Sequence, residues 1–133
     1  MTREQKDLLL KDLCARLPYE VRCKFYNVYE NCYEEGTILG FERKEYIEIG
    51  GRCVNVEEVR PYLFPLSSMT EELKNFIRWK LTTPKYDSFD EESLEDLFHN
   101  NIQVVYFCYE HHLDISGLIE KGLAIDATGL NIY

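Results

Sequence analysis

The sequence has almost no basic residues in its last third. Residues 86–133 contain one base, Lys121, and ten acids, whereas residues 1–85 contain 14 Lys and Arg and 14 Asp and Glu. The net charge of −9 therefore arises entirely after residue 85. Such a segment repels nucleic-acid phosphates and attracts basic surfaces, more weakly as the salt concentration rises. This distribution argues against direct binding of DNA or RNA by that part and predicts a basic partner.

Long apolar runs and cysteine pairs are also missing. The longest apolar stretches fall short of the roughly 18 residues that a membrane span requires. The amino terminus mixes acids with bases, unlike a secretion signal. The five cysteines include no C-x-x-C pair, so we expect reduced thiols, with Cys14 and Cys23 packed in the core. These absences predict a cytoplasmic protein that makes no membrane contact.

The composition is that of a folded chain, with 45% hydrophobic and 14% aromatic residues. A length of 133 residues suits one domain with its own core. We therefore predict a single α+β domain over 1–133, with a β-meander at about 20–60 and a helical part at about 68–122. The pattern leaves open whether the tyrosines line a core, a dimer contact or a ligand groove (Tyr29, Tyr33, Tyr62 and Tyr109).

The first half predicts a helix followed by short strands. Thr2 and Gln5 form a capping box ahead of an apolar stripe that ends at Pro18. Apolar residues then alternate from Val21 to Phe25, and further strands are expected at 35–42, 46–49 and 52–54. This antiparallel meander fits an SH3-like barrel or a plain sheet of three or four strands. Residues 60–66 contain two prolines, which predicts an extended connector and not a central strand.

The second half predicts three to four helices. Ser68 and Glu71 form a second capping box before a helix that reaches Leu81, and a short acidic helix covers 90–98. Residues 102–113 fit both a strand and a helix, and we favour the helix. Asp114 is expected to cap a last helix that runs through Lys121.

Six carboxylates carry the predicted partner-binding surface: Asp87, Asp90, Glu91, Glu92, Glu95 and Asp96. A calcium loop is a poor match, because the central glycine and the closing glutamate are missing. The alternative is a solvated helix face without a partner. No cofactor is expected, and no catalytic residue is assigned.

A second cluster, at residues 108–112, supports an enzyme as the alternative. Cys108 and His112 are four residues apart and would share a helix face, with Glu110 and His111 beside them. Two ligands do not make a metal site, and no second pair with zinc spacing exists, so Cys108 and His112 are weak candidates. A small hydrolase would use the same cluster, although no G-x-S-x-G motif or phosphate-binding loop is present.

Three stretches carry a resemblance to a known family: LLLKDLCARLPY at 8–19, RPYLFPLSSMTEE at 60–72 and HHLDISGLIEKGLA at 111–124. They resemble a family of small proteins encoded by gut Bacteroidales, their prophages and their phages, whose activity is not established. In these relatives the last motif is closer to D-Y-R-G-L-I, whereas this chain has Ile115 and Ser116 where they have Tyr and Arg. The resemblance implies an accessory protein of a mobile element that acts by binding.

The sequence thus predicts a non-enzymatic protein-interaction module. Its acidic carboxy-terminal face would bind a basic protein, such as a host nucleic-acid-binding or defence protein that it blocks by charge mimicry. A homodimer is also compatible with the sequence.

Overall fold

The computed structural model describes residues 1–71, 73–75 and 102–133. Helix α1 (Arg3–Arg16) is followed by five strands, β1 (Arg22–Asn27), β2 (Cys32–Arg43), β3 (Tyr46–Ile49), β4 (Arg52–Asn55) and β5 (Val59–Leu63). Helix α2 (Ile102–Glu110) and strand β6 (Ile125–Asp126) come later. The strands form one mixed sheet in the order β4-β3-β2-β1-β5-β6, in which only β5 and β6 are parallel.

Helix α1 begins as predicted. The Thr2 hydroxyl accepts the Gln5 N–H at 3.1 Å, and the Gln5 side chain accepts the Thr2 N–H at 3.0 Å. The prediction for Cys14 was wrong, because its side chain is exposed. The buried stripe of α1 is formed instead by Leu9, Asp12, Leu13 and Arg16, whose spacing places Cys14 beside the stripe and not on it.

The inner face of the sheet packs on α1. Val21, Cys23 and Phe25 are buried with Leu9 and Leu13, as the alternation along β1 predicted. Gly36 on β2 lies so close to β3 that a Cβ there would be 2.6 Å from Ile49 Cγ2. The main core therefore depends on a glycine at a strand-to-strand contact.

The prediction for residues 60–66 was wrong, because Val59–Leu63 is strand β5, with β1 on one side and β6 on the other. The Tyr133 hydroxyl accepts the Arg22 N–H at 3.0 Å and donates to Tyr62 O at 2.7 Å. Arg22 and Tyr62 are thus the hydrogen-bonded positions of this ladder, so the neighbouring pair, Cys23 and Pro61, needs no donor from residue 61.

The prediction of three to four carboxy-terminal helices was also wrong. After residue 100, the described chain contains one α-helix, α2, which confirms only the helical reading of 102–113. Residues 114–122 form turns, because Gly117 adopts a left-handed backbone with φ of +70°. The Asp114 carboxylate does accept backbone N–H groups, from Leu118 and Ile119 at 2.9 Å each. It caps a turn and not a helix.

The remaining expectations concern the sheet and the segment after it. The described ladders leave β4 and β6 as the two edges, so the sheet does not close into a barrel through them. Ser68 belongs to a 3₁₀ turn, and the hydroxyl of Thr70 accepts the Leu73 N–H at 3.2 Å in place of the predicted Ser68 cap. The predicted acidic helix at 90–98 lies outside the described residues.

Candidate functional site

The six predicted partner-binding carboxylates, between residues 87 and 96, lie outside the described residues. Their role therefore stays a prediction.

The cluster at 108–112 does not converge on one point. Cys108 is fully buried, and burial raises the pKa of its thiol to about 12. His112 follows the end of α2 with a left-handed φ of 57°, and its ring stacks on Tyr133 at 3.6 Å between centroids. Glu110 and His111 are exposed. Over 1–71, 73–75 and 102–133, three potential metal ligands come together only at Glu30, Cys32 and Glu34.

Burial also determines the protonation state of His112. It lowers the pKa of the imidazole to about 4, and the nearby charges of Arg16 and His111 act in the same direction. The ring is therefore neutral at pH 7. Its role in the described structure is to pack against Tyr133.

A large cavity of about 710 Å³ lies between α2 and residues 114–120. Two of its polar side chains are engaged, because Ser116 donates to Asp12 at 2.9 Å and Asp114 accepts the two backbone N–H groups named above. Its described lining contains neither histidine nor cysteine.

Behind this cavity lies a buried ion pair. Arg16 Nε is 2.5 Å from Asp12 Oδ2, and Arg16 Nη2 donates to Leu113 O at 2.6 Å. The guanidinium carbon lies 4.8 Å from the centre of the Tyr109 ring. The pair connects α1 to the residues after α2, which assigns it a structural role.

A second cavity lies between residues of β1 and β4 and is called the β1–β4 cleft. It measures about 190 Å³ and is lined by residues 25–29 of β1 and its turn, Tyr46 of β3, residues 52–55 of β4, and Glu58. Strands β1 and β4 are separated by two others in the sheet order. They can line one small cavity only because the sheet curls, so the cleft depends on the curvature of the sheet.

Large, solvent-exposed apolar side chains surround this cleft. Tyr29 is 87% exposed, Val28 and Tyr33 are each 66% exposed, and Tyr46 is 42% exposed. The Tyr33 ring meets Tyr26 edge-on at 5.1 Å. Scattered exposed apolar residues are ordinary, but a contiguous group of them marks an interaction surface. Tyrosine is also enriched at protein interfaces.

Asn27 is a buried polar residue of the cleft and is only 3% exposed. Its Oδ1 accepts the N–H groups of Tyr29 at 3.0 Å and Glu30 at 3.4 Å. Two donors fix the orientation of the amide, since a flipped Nδ2 could not accept them. Nδ2 is buried and has no hydrogen-bond partner among the residues that the structure describes. An unpaired buried donor costs about 1–3 kcal/mol, so pairing Nδ2 with an acceptor would be favourable.

Sequence reasoning missed this cleft, although two of its signals were visible. Tyr29 and Tyr33 stood out as surplus aromatics, and both are exposed beside it. The others serve elsewhere: Tyr62 is buried, and Tyr109 lies against Arg16. The role of Asn27 had no sequence signal beyond its place in a turn.

The sequence matches no protein-family model and no curated protein, and the structure matches no solved structure. In the part of the chain that the structure describes, no helix has the length and apolar character needed to cross a membrane.

Proposed function

We propose that this protein is a non-enzymatic interaction module that binds a basic protein partner in the cytoplasm. The observation that carries the proposal is the group of exposed apolar side chains around the β1–β4 cleft, Val28, Tyr29, Tyr33 and Tyr46. A surface of this kind loses contact with water when a partner covers it, which favours association.

The charges support a basic partner. Glu58 lines the cleft and Glu30 follows Tyr29 in its turn. Of the nearby bases, Arg52 is 3.8 Å from Glu34, and the Lys24 ammonium lies 5.1 Å from the centre of the Tyr33 ring. The predicted surface at residues 87–96 has the same negative sign. Opposite charges accelerate encounter and select partners, with a strength that salt reduces.

The resemblance to mobile-element proteins supports the biological part of the proposal. A phage or prophage accessory protein of this kind would block a host nucleic-acid-binding or defence protein by presenting acids in place of phosphates. The segment after residue 85 has the charge for such mimicry.

The test is affinity capture from host lysate at low and at high salt, followed by mass spectrometry. Three baits are compared: the natural protein, a variant with the six acids at 87–96 changed to Lys, and a Tyr29→Ser/Tyr33→Ser variant. A control bait receives the same charge change at other exposed acids, Glu4, Asp7, Glu48, Glu71, Glu110 and Glu120. We expect the natural and control baits to retain a basic protein at low salt, and the other two variants not to retain it. Equal retention by all four baits would contradict the proposal.

A further inference from the structure

We propose that the β1–β4 cleft binds an extended basic peptide segment of the partner. The segment lies beside β4 as an added strand, places one apolar side chain in the cavity and presents a backbone carbonyl to Asn27 Nδ2. This inference rests on the proposed function and specifies how the partner is held.

Strand β4 is an edge strand of the described sheet. The Val56 N–H donates to Glu45 O at 2.8 Å, which identifies 45 and 56 as a hydrogen-bonded pair of the β3–β4 ladder. Such pairs alternate along an antiparallel ladder, so the backbone N–H and C=O of Cys53 are directed away from β3. No other described strand pairs with β4 on that side. A peptide can therefore extend the sheet by main-chain hydrogen bonds.

The size of the cavity favours a peptide over a small molecule. A volume of about 190 Å³ is below the roughly 300–1,000 Å³ of small-molecule sites. Its apolar lining includes Phe25, Tyr26, Tyr29 and Val54. Such a pocket fits the single apolar side chain that anchors a bound strand.

The unpaired amide requires an acceptor. Asn27 Nδ2 can only donate, and a peptide offers a carbonyl oxygen at every residue. Lysine and arginine side chains have no acceptor, so the peptide backbone is the group that satisfies Nδ2.

The charges at the cleft determine the flanks of the peptide. Glu30 and Glu58 are exposed and form no ion pair with another described residue. Arg52, the base among the lining residues, lies near Glu34. Lysine or arginine on either side of the apolar anchor therefore complements the site.

The probe is a fluorescent peptide, acetyl-KTKVLVKTK-amide, whose binding is followed by fluorescence anisotropy. Asn27→Asp is the decisive variant, because its carboxylate still accepts the Tyr29 and Glu30 N–H groups but cannot donate. The added negative charge would by itself strengthen the binding of a basic peptide. We expect instead that binding weakens about tenfold, the effect of one lost hydrogen bond. Leu39→Ser, at an exposed position outside the cleft lining, is the matched control and should leave affinity unchanged.

Two altered peptides test the binding mode. Replacing the central Leu by Ser removes the anchor, and N-methylation of alternate residues removes the strand hydrogen bonds; each should abolish binding. The inference is overturned if the unmodified peptide does not bind, or if the methylated peptide binds as tightly as the unmodified one. It is also overturned if the Asn27→Asp variant binds the peptide as tightly as the natural protein does and unfolds at the same temperature. A dimer in light scattering that dissociates on Asn27→Asp would assign the cleft to a second copy and also overturn it.

The lysate capture separates this inference from the proposed function. If Asn27→Asp still captures the basic partner while the peptide does not bind, the strand-addition mode fails and the proposed function stands. If the natural protein captures no basic partner, the proposed function fails.

Discussion

Replacing Arg16 by Met should destabilise the protein strongly, because it removes one member of a buried ion pair and leaves the other. Both side chains are fully buried, with Arg16 Nε 2.5 Å from Asp12 Oδ2. Without the guanidinium, the Asp12 carboxylate keeps only the Ser116 hydroxyl at 2.9 Å among the described side chains. Breaking a buried pair in this way costs about 3–5 kcal/mol. A chain of 133 residues should then unfold about 10–18 °C lower.

Thermal and urea unfolding measure this effect, with two control variants. Asp12→Leu/Arg16→Met replaces the whole pair by apolar groups and should recover most of the lost stability, since no unpaired charge remains. Arg3→Met removes an exposed charge 3.9 Å from Glu45 and should cost less than about 1 kcal/mol. If Arg16→Met costs no more than Arg3→Met, the pair does not hold α1 to the residues after α2 and the reasoning is refuted.

Three further perturbations test the buried groups. Burial lowers the pKa of His112 to about 4 in the folded protein, whereas the unfolded chain binds this proton below about pH 6.5. The stability due to neutral His112 is therefore complete above pH 6.5 and is lost as the pH falls toward 4. His112→Asn, which tolerates a left-handed backbone, should lose that part of the pH dependence in urea unfolding, and an unchanged profile would contradict it. Burial raises the pKa of Cys23 and of Cys108 to about 12, so a thiol reagent should label Cys14, Cys32 and Cys53 first and reach five thiols only in denaturant; rapid labelling of all five would be the contrary result. Gly36→Ala should lower the unfolding temperature, because its Cβ would clash with Ile49, whereas Gly40→Ala, with its nearest atom at 3.5 Å, should cost less.

Local patterns predicted the start of the fold well. The capping box of Thr2 and Gln5 and the alternation of Val21, Cys23 and Phe25 depend on neighbouring residues, and both were confirmed. The burial of Arg16 could not be predicted in this way. Asp12, four residues earlier on α1, supplies the opposite charge, but the hydrogen bond to Leu113 O comes from a residue 97 positions away, which no local pattern indicates.

The errors after residue 58 have the same origin. Pro61 argues against a central strand only where the ladder requires its nitrogen to donate a hydrogen bond. In the β1–β5 ladder it lies at a pair that uses no donor from residue 61. Asp114 carries a cap signal, but the backbone of Gly117 converts the expected helix into a turn. The β1–β4 cleft depends on the curl of the sheet, which no local spacing encodes.

The hydroxyl of Tyr133 has a consequence for how the molecule is made. It bridges Arg22 and Tyr62, although Tyr133 follows Arg22 by 111 positions and Tyr62 by 71. Strand β6 is also formed late in the chain, by Ile125–Asp126. Ribosomes deliver the amino end first, so β5 lacks its outer neighbour β6 and the Tyr133 bridge to β1 until residues 125–133 have emerged. Contacts of such long range form slowly, and unpaired strand edges are where aggregation starts. Until then the nascent chain exposes the edge of β5, and its demand for chaperones should fall once residues 125–133 have emerged.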